Sequence, residues 1–347
     1  MNESFRTSFR RPVVPAPWRR GMKAGIVNPS GNAAVIHGNR LSTGILHLAE
    51  DLGGGVLCTV PDQPFNSYRA LSPQAAANEL HGYFKRADVA LILCSIGGFT
   101  TNAVLKYIDW DILRASPKHI CGYSDATALL LAIKAMTNQV VLMGPALMPQ
   151  WGDPRGPMPF TRQSFMNAIT LSGGSWLSRP SSEWVDPRIP WDGNPPESIH
   201  ELIKRPTSWR ALRSGTATGQ LVGGNVETLN MLIGTPYLPS FRQSLLFLEA
   251  TGAEAHPPRF HRALVHMRDA GLLDDVRAVL LGRSPELTVD GVDLVESILL
   301  DVFPSQDVPV VIDVDFGHTE PALTIPFGLV GTITCGKNRS ELMIHAV

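Results

Sequence analysis

The sequence predicts an α/β protein built from two domains, and three observations support that fold class. A chain of 347 residues exceeds the usual size of a single domain. In the first half, short apolar runs alternate with apolar residues at helical spacing, a pattern typical of βαβ units and of a parallel sheet. Residues 323–347 instead alternate short apolar runs with glycine and proline, which indicates antiparallel strands at the end of the chain.

The same patterns divide the chain into four segments. Residues 1–21, with several arginines and prolines, are expected to form a flexible N-terminal arm, and residues 22–150 an N-terminal α/β domain around the parallel sheet. Residues 151–214, rich in tryptophan, proline, glycine and serine, are a connecting insert. Residues 215–347 form a C-terminal α/β domain that ends in the antiparallel strands.

Composition argues against several classes of partner. The formal net charge is −1, so no basic surface for nucleic acid or for an anionic membrane is expected. No apolar run approaches the roughly 18 residues of a membrane span, and residues 1–20 lack the apolar core of a signal peptide. The four cysteines are scattered, which favours free thiols in a reducing compartment over disulfides or a metal site. We therefore expect a globular cytoplasmic protein.

The individual elements follow in order. A helix that begins after Ser72 is well marked, because the serine can cap it and Pro73 suits its first position. The apolar run at 89–96 is continuous, as in a strand buried on both faces. The predicted strands are 24–27, 56–60, 89–96, 120–121, 244–248, 276–281 and 308–312. The predicted helices are 41–52, 72–86, one that begins at Ala103, one that begins at Asp125, 160–171, 226–233, 257–270 and 292–303.

The segment Gly122–Ala126 lies between a predicted strand and a predicted helix. A serine at the apex of such a turn is typical of a nucleophile elbow, in which the hydroxyl projects from the top of a sheet. Gly122 and Ala126 are small, as a close approach of strand and helix requires. The other interpretation is that Ser124 only caps the following helix.

Gly97 and Gly98 follow the buried strand, where bare backbone N–H groups can face a ligand. Either they form an ordinary turn, or they belong to an oxyanion hole, which needs two fixed donors. For that hole the candidates are the N–H groups of Gly98 and of Asp125, the residue after the serine.

Two further residue types complete a possible hydrolase site. Glu249 ends an apolar strand, and His318 lies in a loop beside a glycine and after another strand. A serine hydroxyl needs a base to take its proton, and a carboxylate behind the histidine fixes the histidine tautomer. The order serine, acid, histidine is that of α/β hydrolases, although spacing alone does not show that the three side chains meet.

Trp184 and Trp191 lie in the connecting insert. Two tryptophans in such a loop-rich segment either fill a core or form a lid whose indoles stack on a planar ligand.

The whole chain resembles the LD-carboxypeptidase family of serine peptidases, and within it looks more like the branch of microcin C self-immunity proteins. Four blocks in family order carry the resemblance: Ser95–Gly98; Gly122–Leu129; Gly223–Asn225 with Gly234–Tyr237 and Leu246–Glu249; and Gly317–Pro321 with Ile325–Gly328. The resemblance implies that Ser124 is the nucleophile, Glu249 the acid and His318 the base. It also implies an active site at the domain junction, no metal or cofactor, and a homodimer.

The branch implies a substrate in which an amide joins an aminoacyl group to a modified adenylate, with the hydrolysis serving detoxification and self-immunity. Gly97, Trp184, Trp191 and Asn225 are then the candidate substrate-binding residues, with the indoles stacking on adenine. However, Thr251–Glu254 lacks the basic residues expected near an acidic aminoacyl group, and Ala250 stands where the family usually has aspartate. The alternative within the same chemistry is release of terminal D-alanine from murein tetrapeptides in cell-wall recycling.

Two other classes of protein are weaker candidates. A catalytically silent protein that binds nucleotide-like ligands is disfavoured, because all three triad residue types are present in their family contexts. A dehydrogenase with a dinucleotide-binding fold is disfavoured too, because no G-x-G-x-x-G motif follows the first strand.

Overall fold

The computed structural model describes residues 11–170, 172–185, 191, 208–284, 289–337 and 339–346. Fourteen strands are named within them: β1 (Lys23–Val27), β2 (Gly55–Cys58), β3 (Val89–Cys94), β4 (His119–Gly122), β5 (Val141–Met143), β6 (Ser175–Ser178), β7 (Arg210–Arg213), β8 (Gly215–Asn225), β9 (Ser244–Glu249), β10 (Ala278–Gly282), β11 (Val310–Val314), β12 (Ile325–Phe327), β13 (Val330–Cys335) and β14 (Ser340–His345).

The α-helices of the described residues are α1 (Ala33–Ile36), α2 (Gly38–Leu52), α3 (Pro73–Lys85), α4 (Trp110–Ala115), α5 (Thr127–Thr137), α6 (Pro159–Thr170), α7 (Val226–Leu232), α8 (Pro257–Asp269) and α9 (Val289–Val302). Short 3-10 turns occur at Thr101–Tyr107, Ser124–Ala126 and Gly252–Ala255, and one π-helical turn at Leu147–Trp151. The predicted start of α3 is confirmed, since the Ser72 side chain accepts a hydrogen bond from Ala75 N.

The first sheet has the strand order β12-β5-β4-β3-β1-β2. Its strands β5, β4, β3, β1 and β2 are parallel, which confirms the βαβ prediction. Strand β12 comes from the far end of the chain and pairs antiparallel with β5. The carboxyl ends of β3 and β4 therefore lie side by side, and the chain that leaves them carries Gly97 and Ser124.

The second sheet has the order β6-β14-β13-β8-β9-β10-β11-β7. Its central strands β8 to β11 are parallel, whereas β13 and β14 are antiparallel, as predicted for the tail. Glu249 ends β9, and the loop after β11 carries His318, so these two side chains also leave the carboxyl ends of parallel strands. The α/β fold class is therefore confirmed.

Where it is described, the connecting insert contributes two edge strands to the second sheet and packs a helix against the first. Strand β6 pairs with β14 at one edge of the second sheet, and β7 pairs antiparallel with β11 at the other edge. Phe165 and Ile169 of α6 are fully buried in the same apolar cluster as Trp151 and Leu91 of the first sheet. The division at residues 150 and 214 stays a prediction.

Within the predicted N-terminal arm, the part that the structure describes, residues 11–21, packs against the rest of the chain. Val13 exchanges backbone hydrogen bonds with Asn138 and Val140, and Trp18 N donates to Ile169 O at 2.7 Å. Trp18 is buried because its indole packs among apolar side chains of the first domain and its Nε1 donates to Leu52 O. Residues 1–10 lie outside the described residues.

No helix among the described residues has the length and apolar character needed to cross a membrane.

Candidate active site

The turn after β4 has the geometry of the predicted nucleophile elbow. Ser124 adopts φ +59°, a left-handed conformation that costs energy for a residue with a side chain, and the chain enters α5 three residues later. A Cβ built on Gly122 would lie 3.0 Å from both Ala126 Cβ and Cys94 Sγ, so a side chain there would force strand and helix apart. Neither Ser124 nor any other side chain caps the start of α5. The elbow interpretation is therefore the one that the geometry favours.

The segment after β3 lies directly against this serine. A Cβ built on Gly97 would be 3.1 Å from Ser124 Oγ and 3.4 Å from Asp125 N. A Cβ on Gly98 would be 2.3 Å from Ser30 Oγ, which explains the need for a second glycine. The Gly97–Gly98 backbone is thus close enough to the hydroxyl to form part of an oxyanion hole.

Hydrogen bonds hold the chain on either side of the two glycines. Ser30 Oγ accepts from Phe99 N at 2.9 Å and from Thr100 N at 3.1 Å. The buried carboxylate of Asp125 accepts from Thr101 N at 2.8 Å and from Thr101 Oγ1 at 2.7 Å. The elbow and the glycine segment therefore form one rigid unit, since a side chain of the elbow itself fastens the segment.

Glu249 and His318 meet although 69 residues separate them in the sequence. His318 Nδ1 lies 2.8 Å from Glu249 Oε2, and the glutamate is 1% exposed. Gly317 makes the approach possible, because it has φ +95° and a Cβ there would lie 3.1 Å from Glu249 Cβ. The sequence alone did not show this contact.

A buried ion pair anchors the loop that carries His318. Asp315 is fully buried and accepts from Arg283 at 2.8 Å, from Trp209 Nε1 at 2.8 Å and from Ser181 N at 2.8 Å. Burial raises the pKa of Asp315, an effect that the Arg283 charge opposes. The sequence analysis missed this cluster because its members come from four distant segments.

Ser124 and His318 line the same cavity of about 900 Å³. The imidazole packs edge-on against Tyr123, the residue before the serine, with ring centroids 4.9 Å apart. Among the described contacts, no hydrogen bond joins Ser124 Oγ to His318. Catalytic hydrogen bonds are often long before substrate binds, so the absence of a Ser124–His318 hydrogen bond among the described contacts is compatible with a serine–histidine pair.

Asn225 ties the second sheet to the nucleophile helix. It ends β8 directly beside Glu249, caps α7 through Oδ1, and its N donates to Thr127 Oγ1 at 3.2 Å. A Cβ on Gly224 would be 2.2 Å from Thr127 Cγ2, which explains a glycine at this crossing. Asn225 also lines the cavity, as expected of a substrate-binding residue.

The charged side chains that line the cavity were mostly not foreseen. Arg40 lies on one side, and burial lowers its pKa. Glu254 accepts from Asn225 Nδ2 and from Thr251 N, and its other oxygen is buried without a hydrogen-bond partner. Burial, reinforced by the nearby Glu249 charge, raises the pKa of Glu254 to about 7. Residue type alone gave no signal for either position.

The two tryptophans of the insert have different surroundings. Trp191 lines the cavity, with the Arg40 guanidinium 4.6 Å from its ring centroid and His37 at its edge. Trp184 is buried, stacks on Arg283 with 4.9 Å between the guanidinium carbon and the ring centroid, and does not line the cavity. Trp184 therefore lies in the interior, as in the core-filling alternative, and its substrate-binding role stays a prediction. Residues 186–190 and 192–207 of the insert lie outside the described residues.

The chain is similar in sequence to a family of known enzymes. The family model for the LD-carboxypeptidase N-terminal domain matches residues 24–144, and that for the C-terminal domain matches residues 218–333. A putative carboxypeptidase of Vibrio cholerae is 30% identical over 93% of this chain and 95% of its own length. The microcin C7 self-immunity protein MccF of Escherichia coli is 29% identical over 92% of each chain.

Solved structures agree with the sequence relatives. The structure of MccF with aspartyl sulfamoyl adenosine superposes with a TM-score of 0.84 at 28% identity, and the match covers 97% of this chain and 99% of that one. Both halves of the chain, with the elbow in one and the Glu249–His318 pair in the other, therefore match the same family of enzymes. This chain belongs to the LD-carboxypeptidase family of serine peptidases.

Proposed function

We propose that this protein is a serine amidohydrolase in which Ser124, His318 and Glu249 form a catalytic triad. One observation carries the proposal: a histidine hydrogen-bonded to a buried carboxylate shares a cavity with a serine on a strained elbow. Residues held in such backbone conformations are concentrated at active sites.

The geometry supports a reaction through an acyl-enzyme. Because Nδ1–H donates to Glu249, Nε2 of His318 is free of a proton and accepts the one from Ser124. The hydroxyl oxygen attacks the amide carbonyl, and the imidazolium then gives its proton to the leaving amine. Water, activated by the same histidine, releases the acid and restores the serine.

The oxyanion formed on attack needs two donors near the serine. The N–H groups of Gly98 and Asp125 are the proposed pair, because Asp125 follows the nucleophile and the glycine segment lies against it. Fixed donors of this kind contribute about 10²- to 10³-fold each to the rate. The hydrogen bonds that Ser30 and Asp125 accept from the backbone N–H groups of Phe99 and Thr101 fix this segment before substrate arrives.

For the substrate, we infer an aminoacyl group joined by an amide to a nucleotide-like compound. The similarity to MccF, whose structure contains aspartyl sulfamoyl adenosine, supports this class. A cavity of about 900 Å³ has room for such a molecule, and Gly97, Asn225 and Trp191 line it.

Release of D-alanine from murein tetrapeptides is the second candidate, and one feature of the cavity favours it. Thr251–Glu254 brings a carboxyl group to the lining and no basic side chain, which is unfavourable for an acidic aminoacyl group. A substrate that places a neutral or cationic group beside Thr251–Glu254 fits this part of the cavity better. The expected homodimer and the cytoplasmic location stay predictions.

The test is a direct assay of both substrates. Purified protein is incubated with an aminoacyl sulfamoyl adenosine and with a murein tetrapeptide, and the released amino acid is measured. We expect release from the first, abolished in Ser124→Ala and retained in Ser42→Ala, which changes an exposed serine of α2. Cleavage of the tetrapeptide alone would overturn the nucleotide assignment, and normal turnover by Ser124→Ala would overturn the mechanism.

A further inference from the structure

Two aromatic side chains stand exposed at the active-site cavity. Phe99 is 80% exposed and Tyr68 is 52% exposed, and both line the cavity that contains Ser124. Among the described residues, neither ring stacks on another ring or on a cation. We propose that Phe99 and Tyr68 form a platform that binds the planar heteroaromatic group of the substrate, an inference that rests on the proposed function and specifies its substrate.

Hydrogen bonds hold the backbone next to the two rings, although the rings themselves are exposed to solvent. Arg69, which follows Tyr68, is 2% exposed and donates from NH1 to Thr100 O at 2.8 Å, beside Phe99. Its second NH group donates to Pro29 O at 3.0 Å. The buried guanidinium therefore joins the segment that carries Tyr68 to the segment that carries Phe99, in contacts that substrate does not have to create.

A single exposed aromatic residue on a protein surface is ordinary. Two exposed aromatic residues on segments joined in this way instead indicate a binding surface. Exposure of both rings to water is unfavourable, because burial of their apolar surface would lower the free energy. Phe99 also directly follows Gly98, the proposed oxyanion donor. A ligand that covers Phe99 is therefore continuous with one whose carbonyl lies at Ser124.

The insert tryptophans do not offer an equivalent surface. Trp184 is buried against Arg283, and the Arg40 guanidinium already lies over the ring of Trp191. Among the described residues that line the cavity, the exposed aromatic rings are those of Phe99 and Tyr68. Stacking accepts any planar heteroaromatic base, because every base has a π-face.

The experiment compares two ligands that differ only in the planar group. Binding of adenosine monophosphate and of ribose 5-phosphate to the purified protein is measured by calorimetry, and the ratio of the two dissociation constants is recorded. Stacking on one ring corresponds to roughly 5- to 100-fold in affinity. We expect the wild-type protein to prefer adenosine monophosphate, and Phe99→Ala and Tyr68→Ala each to reduce that preference by such a factor.

Two further variants make the result specific. Phe99→Trp keeps a flat face and is expected to keep the preference, whereas Phe65→Ala removes an exposed ring that does not line the cavity and is expected to change nothing. Equal binding of the two ligands by the wild type, or an unchanged preference in Phe99→Ala and Tyr68→Ala, would overturn the platform. So would a shift in the monomer–dimer equilibrium caused by Phe99→Ala without a change in ligand preference, since it would assign the rings to a protein interface.

This outcome is separable from the proposed hydrolysis. Binding is measured without turnover. If the two rings set the ligand preference but the protein cleaves no aminoacyl sulfamoyl adenosine, the proposed reaction is refuted and the platform is not. Hydrolysis by Ser124 with no dependence on Phe99 or Tyr68 would refute only the platform.

Discussion

Replacement of Glu320 by glutamine is expected to stabilise the protein, by an amount that grows as the pH rises from about 4.5 to 7. Glu320 follows His318 by two residues and is buried, with Oε2 accepting from Thr161 Oγ1 at 2.7 Å. Burial raises the pKa of Glu320 from 4.5 to about 7, although the hydrogen bond from Thr161 opposes the shift. A folded-state pKa above the unfolded value means that the folded protein binds more protons, so stability falls as pH rises between about 4.5 and 7.

The size of the effect follows from the shift. From 4.5 to about 7, at about 1.4 kcal/mol per pKa unit, the carboxylate lowers the free energy of unfolding by about 3.5 kcal/mol at pH 8. Glutamine keeps an acceptor for Thr161 and carries no charge, so this loss disappears in the variant. Glu79 and Glu254 also titrate near pH 7, and they affect both proteins equally.

The assay is urea denaturation of the wild type and of Glu320→Gln at pH 5 and at pH 8. The variant is expected to gain about 2.5 kcal/mol relative to the wild type between the two pH values, because part of the effect is already present at pH 5. Glu50→Gln, at an exposed position, serves as the control and is expected to give the same difference at both. A pH-independent difference for Glu320→Gln would refute the claim that burial keeps this acid neutral.

Three further substitutions probe the site. Glu249→Gln should lower kcat by about 10⁴-fold while near-ultraviolet circular dichroism stays unchanged, because a neutral amide favours the wrong histidine tautomer; a loss below tenfold would contradict the pairing with His318. Gly97→Ala places a Cβ 3.1 Å from Ser124 Oγ and should lower kcat by about 10²-fold with little change in melting temperature, whereas normal kcat would show that the segment is not part of the oxyanion hole. Asp315→Asn leaves Arg283 buried and unpaired and should cost about 3–5 kcal/mol of unfolding free energy in urea, and a cost under 1 kcal/mol would contradict the role of this pair as the anchor of the loop.

The elbow was predictable because its signal is local. A buried strand, a turn with small residues at Gly122 and Ala126, and a helix follow one another within about 20 residues, and each element forms for reasons visible in its own sequence. The parallel sheets were predictable for the same reason, since alternation of strand and helix leaves few topologies.

The meeting of Glu249 with His318 was not predictable from spacing, because it depends on the order of strands in the second sheet. Strands β9 and β11 are separated by β10, and a glycine at 317 lets the loop reach the acid. Only the resemblance to a family joined these residues before the structure did. The sequence left open whether Trp184 fills a core or forms a lid for a related reason: its partner Arg283 lies about a hundred residues away and leaves no mark on the local pattern.

The edge strands β6 and β7 were also missed. Each has four residues, too few for alternation to identify a strand. Each also pairs with a strand about a hundred or more positions further along the chain. The packed segment at Val13–Trp18 is similar, because its proline-rich composition is typical of a mobile arm and its partners lie in α6 and before β5.

The proposed hydrolysis depends on Ser124 acting as a nucleophile that His318 activates. The most direct measurement is intact-protein and peptide mass spectrometry after treatment with a fluorophosphonate, which reacts with activated serines. The expected result is a single adduct on Ser124 in the wild type and in Glu50→Gln, with labelling slowed by orders of magnitude in His318→Ala. Labelling at another serine, or equal labelling of Ser124 in the presence and absence of the imidazole, would contradict the account.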